Sequence, residues 1–218
     1  VKVVPYRGCG TRRRVYMKGR VLEERGAGPP TDNDSLWDNL ANMRAHVDGT
    51  GPELWAQTGG AVDGFVCGVG TGGTLAGVSV ALKEQHPDVV IACADPAGAA
   101  MCGYFTTGEP QESDGDSIAE GIGQSRVTAN VAAAKVDRAF TVPDSEALPV
   151  LFDLVRREGL FLGGSSGINV AGAVRLAREL GPGHTVVTIL CDGGQRYQSR
   201  LFNPGFLRDE GLPAPDWL

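Results

Sequence analysis

Lysine is scarce in this chain: of 20 basic residues only Lys2, Lys18, Lys83 and Lys135 are lysines, the rest being arginine. A basic excess is missing too, since the formal net charge is −6, which argues against a general binder of nucleic acid or of a membrane surface. No apolar run approaches the roughly 18–20 residues that span a bilayer. Cys9, Cys67, Cys93, Cys102 and Cys191 are odd in number and never spaced C-x-x-C. Neither a disulfide framework nor a zinc site is therefore indicated, and a reducing, intracellular setting is the expectation. Val1–Arg14 lacks the apolar stretch of a signal peptide, yet the chain opens on Val and not Met. The expectation is a chain that lacks part of its N-terminal side.

What is present is enough for a packed core. At 218 residues and 42% hydrophobic, the chain reads as one large domain or two small ones. The first 35 residues differ in texture from the rest: a short β-branched run Val1–Val4, the cluster Arg12–Arg14, and a polar Gly/Pro stretch from Gly26 to Asp34. A three-Arg run could contact phosphate, but so short a run reads first as a solvated face. From Ser35 onward the periodicities are those of an ordered domain. Leu36, Leu40, Met43 and Val47 recur at helical spacing, and Thr50-Gly51-Pro52-Glu53 reads as a second helix start. Val62–Val69, Thr74–His86 and Val89–Ala94 then read as strand, helix and strand, a βαβ unit that implies a parallel sheet with helices on both faces, an α/β fold. Thr106–Asp116 reads as a surface loop, Val136–Val142 as a strand, and Asp144 as the cap of a helix running to Glu158. A brief strand over Leu160–Leu162, a helix over Asn169–Leu180 and a buried strand over His184–Cys191 complete the pattern. Tyr197, Phe202, Phe206 and Trp217 in the tail read as packing aromatics.

Two glycine-rich strand-to-helix turns carry the chemistry. Backbone N–H groups at a helix start bind anions, and glycines let the backbone approach a phosphate closely. The first turn, Gly68-Val69-Gly70-Thr71-Gly72-Gly73-Thr74, satisfies G-x-G-x-x-G at Gly68, Gly70 and Gly73, with Asp95 at the end of the next strand. That is the layout of a dinucleotide-binding Rossmann unit, with NAD as cofactor; equally, any tight turn of this kind collects glycine. Two features weigh against the dinucleotide. Thr71 and Thr74 add hydroxyl donors suited to a terminal phosphate monoester, and Pro96 stops the second strand directly after Asp95. The second turn, Gly163-Gly164-Ser165-Ser166-Gly167, is one that a Rossmann cofactor does not need.

At these residues the sequence resembles the cysteine synthase and cystathionine β-synthase family, pyridoxal-phosphate enzymes with the tryptophan-synthase-β fold. Val69–Gly77 resembles the family's phosphate loop, and Asn39–Trp55 the segment before it. Asp95-Pro96-Ala97-Gly98-Ala99, Glu120-Gly121-Ile122-Gly123, Gly164-Ser165-Ser166-Gly167 and Cys191–Tyr197 are similar to the later family motifs in the same order. The resemblance implies that Gly70, Thr71, Gly72, Gly73 and Thr74 hold the phosphate of pyridoxal 5'-phosphate. It implies that Ser165 hydrogen-bonds the pyridine nitrogen, where the residues alone leave an ordinary helix cap as the alternative. Gly121, Ile122 and Gly123 would line the substrate cleft. A neutral serine beside the ring nitrogen makes a weaker electron sink than a carboxylate would, which suits β-elimination and β-replacement. The implied reaction is replacement on an activated serine by sulfide, giving cysteine; the implied partners are small-molecule amino-acid substrates and a second copy in a homodimer.

The chain departs from the family in two essential respects. The family's Schiff-base lysine lies upstream of the phosphate loop in a short motif that is absent here, as is the Ser/Thr-Gly-Asn loop that grips the substrate. No catalytic residue is therefore assigned. Residues 1–35 are expected to be a remnant of the smaller N-terminal domain with a linker, and 36–218 the large cofactor-binding domain. Three readings are compatible with these residues. One is a cysteine synthase-type enzyme seen as an incomplete chain, with cystathionine β-synthase-like activity as its variant. Another is a shortened, catalytically dead paralogue serving as a binding or regulatory protein. The remote third is a Rossmann oxidoreductase.

Overall fold

The computed structural model describes residues 36–218. Val1–Val4, the Arg12–Arg14 cluster, Cys9, Lys2, Lys18 and the expected domain remnant lie outside the described residues. Four strands, β1 (Gly64–Cys67), β2 (Val90–Pro96), β3 (Arg138–Val142) and β4 (Val186–Thr188), pair in parallel in the order β3-β2-β1-β4. Gly64 stands beside both Val90 and Val186, and Cys67 beside Cys93. The helices are α1 (Leu36–Ala45), α2 (Gly51–Gln57), α3 (Gly73–Gln85), α4 (Met101–Thr107), α5 (Ala129–Ala133), α6 (Asp144–Asp153), α7 (Gly164–Leu180) and α8 (Pro204–Asp209).

The strands are apolar on both faces because both are covered. Phe65, Cys67, Ile91 and Cys93 pack with Leu75, Val78 and Leu82 of α3 and Met101 of α4. Their alternates, Val66, Ala92 and Ala94, pack with Ile168, Ala171 and Leu176 of α7 and Ala147 of α6. Phe65 and Ile91 are wholly buried, a contribution of about 1.5–3 kcal/mol each. A third cluster gathers α6, α7 and the tail around Leu151, Phe152, Tyr197, Leu201 and Leu207. Tyr197 is buried and Phe202 and Phe206 half-buried in it, while Trp217 keeps 43% of its surface exposed and meets Phe152 edge-on.

Several expected boundaries move. α1 and α2 are joined by a π-helical turn, His46–Thr50, in which the Gly51 N–H reaches the His46 carbonyl. α6 likewise runs into a π turn, Leu154–Glu158, and carries Pro149 within the helix. The expected loop at Thr106–Asp116 begins inside α4, a helix that the glycine and threonine content conceals. Leu160–Leu162 is no strand; Leu162 makes one isolated antiparallel bridge to Gly193. α7 starts at Gly164, so the glycine-serine turn is the first turn of the helix itself and not a loop before it. Asp144 does not cap α6: Pro143 holds the cap position, and both Asp144 oxygens accept from another segment, Ser117 Oγ at 2.6 Å and Ile118 N at 2.7 Å.

The strand order decides where a site can form. From β1 the chain moves through α3 to β2 and on to β3, then returns to place β4 on the other side of β1. Such a reversal opens a crevice beyond the carboxyl ends of β1 and β4, where open α/β sheets bind ligands.

Candidate functional site

Both glycine turns converge at that crevice, bridged by Asn169 of α7. Its Oδ1 accepts the Gly68 N–H at 2.7 Å and its Nδ2 donates to the Ile189 carbonyl at 2.9 Å, tying the ends of β1 and β4 together. The first turn leads into α3 through Gly72, whose φ of +85° is the left-handed conformation that favours glycine. Thr71 and Thr74 are half-buried, and side chains from α1 and the π turn after it orient their hydroxyls. Asn42 Nδ2 donates to Thr71 Oγ1 at 2.7 Å, and His46 Nε2 is hydrogen-bonded to Thr74 Oγ1 at 3.1 Å. Thr50 Oγ1 holds the other imidazole nitrogen at 2.9 Å. The approach is close because α3 presents glycine to this segment: a Cβ on Gly77 would lie 2.5 Å from His46 Cβ and from the Met43 carbonyl. From the other side Thr128 Oγ1 donates to the Thr71 carbonyl at 2.9 Å.

A strap of chain, residues 117–123, runs between the two turns. Gly123 N donates to the Val69 carbonyl at 3.1 Å. The Gly121 carbonyl would sit 2.7 Å from a Cβ on Gly70, and Ile122 Cδ1 3.3 Å from one on Gly68. At its other edge, Ala119 Cα would be 3.4 Å from a Cβ on Gly164. Gly121 itself is exposed and faces open space. Thus Gly70–Thr74, Gly121–Gly123 and Ser165 stand around one crevice.

The second turn is held by the segment that follows β4. Cys191 N donates to Ser166 Oγ at 2.9 Å, and Gly163 N to the Asp192 carbonyl at 2.9 Å. The Tyr197 hydroxyl donates to Asp192 Oδ2. Burial, reinforced by that carboxylate, holds the Tyr197 phenol above its usual range. Ser165 is buried, in the first turn of α7. Asp95 does not face the first turn. It is fully buried with Oδ2 accepting the Cys102 N–H at 2.8 Å, and burial pushes its carboxyl up to about 6 against the pull of the Cys102 and Met101 N–H groups. Buried and turned to the start of α4, it is not exposed as a ribose-binding acid of a Rossmann unit would be.

The donor set fits a phosphate monoester. Hydroxyls, a carboxamide and an imidazole surround the first turn, α3 has no acidic residue in its first turn, and its N-terminal N–H groups add the dipole. Neither described lysine is part of this constellation: Lys83 Nζ, at the far end of α3, donates to the Val89 carbonyl at 3.0 Å and pairs with Asp137, and Lys135 is exposed just beyond α5, with its backbone N–H on Ser79 Oγ. Sequence reasoning marks Asn39–Trp55 as a unit but assigns no role to Asn42 or His46. Their spacing of four on one helix face is the available signal.

Comparison with known proteins accords with this geometry. Residues 2–192 match the model of the pyridoxal-phosphate dependent enzyme family. Cysteine synthase 1 of Neurospora crassa is 47% identical over 188 residues, covering 83% of this chain and 50% of that protein. Cysteine synthase of Dictyostelium discoideum is 43% identical, with coverage of 83% and 50%. Among solved structures, an O-acetylserine dependent cystathionine beta-synthase from Helicobacter pylori superposes with a TM-score of 0.64 at 31% identity, over 73% of this chain and 49% of that one. The chain spans about half the length of the curated relatives it matches.

Proposed function

This chain belongs to the pyridoxal-phosphate-dependent enzyme family, and from that premise we propose that it supplies the cofactor-holding half of a cysteine synthase. The reaction is β-replacement on an activated serine, O-acetylserine in the first instance, with sulfide as the incoming nucleophile. The observation that carries the reading is the convergence of the two glycine turns at the β1/β4 crevice, together with the similarity to cysteine synthases.

Each part of the crevice has its task. Thr71 and Thr74, with the N–H groups of Gly70 to Thr74, hold the cofactor's phosphate, and Asn42 and His46 orient the two hydroxyls. Ser165 donates to or accepts from the ring nitrogen without placing a formal charge there. The strap at Gly121, Ile122 and Gly123 lines the crevice where the amino-acid substrate lies. Pyridoxal phosphate, when bound, supplies the electron sink for loss and replacement of the β-substituent. The nucleophilic amine that such a cofactor requires is not among the described lysines, so it lies outside residues 36–218.

Titration of the chain with pyridoxal phosphate tests this. Saturable binding, competed by inorganic phosphate, is expected; binding of NAD with none of pyridoxal phosphate overturns it. A second reading, cystathionine formation, is favoured by the Helicobacter pylori structure. Supplying O-acetylserine with either sulfide or homocysteine to the active protein separates the two. Among the described residues no helix is long and apolar enough to cross a membrane. Cys67, Cys93, Cys102 and Cys191 form no disulfide, which supports a reducing compartment, and a homodimer remains part of the proposal.

A further inference from the structure

The strap 117–123 is the common wall of both glycine turns, yet it contains no regular secondary structure of its own. Its contacts with Gly68 and Gly70 on one side and Gly164 on the other make its position the spacer between them. Something must fix that position. At the Gly123 end it is the backbone bond to Val69. At the other end it is Asp144.

An acid in the first turn of a helix ordinarily serves that helix's own N–H groups. Asp144 instead turns both oxygens away from α6. Oδ1 accepts from Ser117 Oγ and Oδ2 from the Ile118 N–H, at 2.6 and 2.7 Å, and Ser117 Oγ in turn accepts the Ala119 N–H at 3.1 Å. Asp144 is only 7% exposed, so these bonds are shielded from competing water. It follows directly on β3 through Pro143 and is thereby fastened to the sheet that also carries the first turn. Arg200 adds an exposed tie, to Glu120 at 2.7 Å.

We propose that Asp144 is a positioning residue that, by gripping Ser117 and Ile118, sets the spacing between the phosphate turn and the serine turn. The consequence for the crevice rests on the cofactor reading above; the grip itself does not.

Site-resolved amide exchange on the full chain is the test. Asp144→Ala is expected to quicken exchange at Ile118, Ala119 and Gly123 about tenfold, with β1 and β2 unchanged. Asp144→Asn is expected to stay near the wild-type rates, because a carboxamide can accept from Ile118 while donating to the Ser117 oxygen. A purely electrostatic role at the start of α6 predicts the opposite: Asn as damaging as Ala, with the fast amides at Ser145–Leu148. That pattern overturns the proposal. Ser117→Ala, which leaves α6 intact, should quicken Ile118 and Ala119 even if Asp144→Ala fails to fold; wild-type rates in that variant also overturn it. Failure of the unmodified chain to bind pyridoxal phosphate overturns the functional reading alone, since the exchange pattern is read without the cofactor.

Discussion

The two glycine turns look alike in sequence and are constrained differently. In the first, Gly72 is glycine because the backbone is left-handed there, and the hydroxyls of Thr71 and Thr74 are oriented by Asn42 and His46. In the second, Gly163 has an ordinary extended φ of −80°, and it is glycine because Asp192 and Tyr197 leave no room: a Cβ would lie 2.4 Å from Asp192 Oδ1 and 2.6 Å from the Tyr197 ring. The first turn thus needs glycine for conformation at Gly72 as well as for close contact at Gly70, where a Cβ would lie 2.7 Å from the Gly121 carbonyl, and in the proposed function its N–H groups meet an anion. The second needs glycine at Gly163 for close contact alone. Equal composition thus conceals different constraints.

That contrast predicts a graded set of effects. Gly163→Ala should destabilise the fold by about 2–3 kcal/mol in urea unfolding, since a rigid ring and a carboxylate must both give way. The loss should shrink when Asp192→Ala is combined with it. Additivity of the two changes would mean that close contact is not what constrains Gly163.

Asp95, which neither turn uses, provides the next effect. Its carboxyl is raised by burial from 3.8 to about 6, so the folded state holds a proton that the unfolded chain releases sooner. Stability is then greatest below pH 4 as far as this group is concerned, and falls as pH rises toward 6. Asp95→Asn should remove that slope from the melting temperature between about pH 4 and 7. Affinity for inorganic phosphate should be unchanged, as it would not be if Asp95 served the first turn.

At the first turn itself, Thr71→Val should weaken inorganic phosphate and pyridoxal phosphate alike, each about five- to tenfold by calorimetry. Ser165→Ala should weaken pyridoxal phosphate only. An equal response of both ligands to both changes would erase the assignment of phosphate to one turn and ring to the other. Smallest of all, Arg200→Ala should cost at most about 0.5–1 kcal/mol and lose its effect in high salt, because the pair with Glu120 is exposed.

Much of this is legible in the sequence wherever local pattern and tertiary role agree. Continuous apolar runs announce β1 and β2, since strands covered on both faces need no alternation. The motif order brings forward Gly70–Thr74, Gly121–Gly123 and Ser165 as the candidates of the proposed site. Legibility fails where a residue type has two uses. Asp144 reads as a helix cap because Asp before an apolar helix usually is one; only the folded chain brings Ser117 and Ile118 to it from 27 and 26 positions away. α4 is hidden because Gly103, Thr106 and Thr107 are weak helix formers, and packing of Met101 against the sheet overrides that preference.

The sequence by itself determines the scarcity of lysine: four amines, none in a motif suited to holding an aldehyde cofactor. It also determines the α/β class and the identity of the two turns, because strand, helix and glycine preferences act over a few residues. The tertiary structure alone decides that β4 lies beside β1, and hence that the turns face one crevice. It alone decides which hydroxyls Asn42 and His46 aim, and that Asp144 holds the wall between the turns. These are contacts between residues far apart in the chain, and no local preference encodes which distant partner a side chain meets.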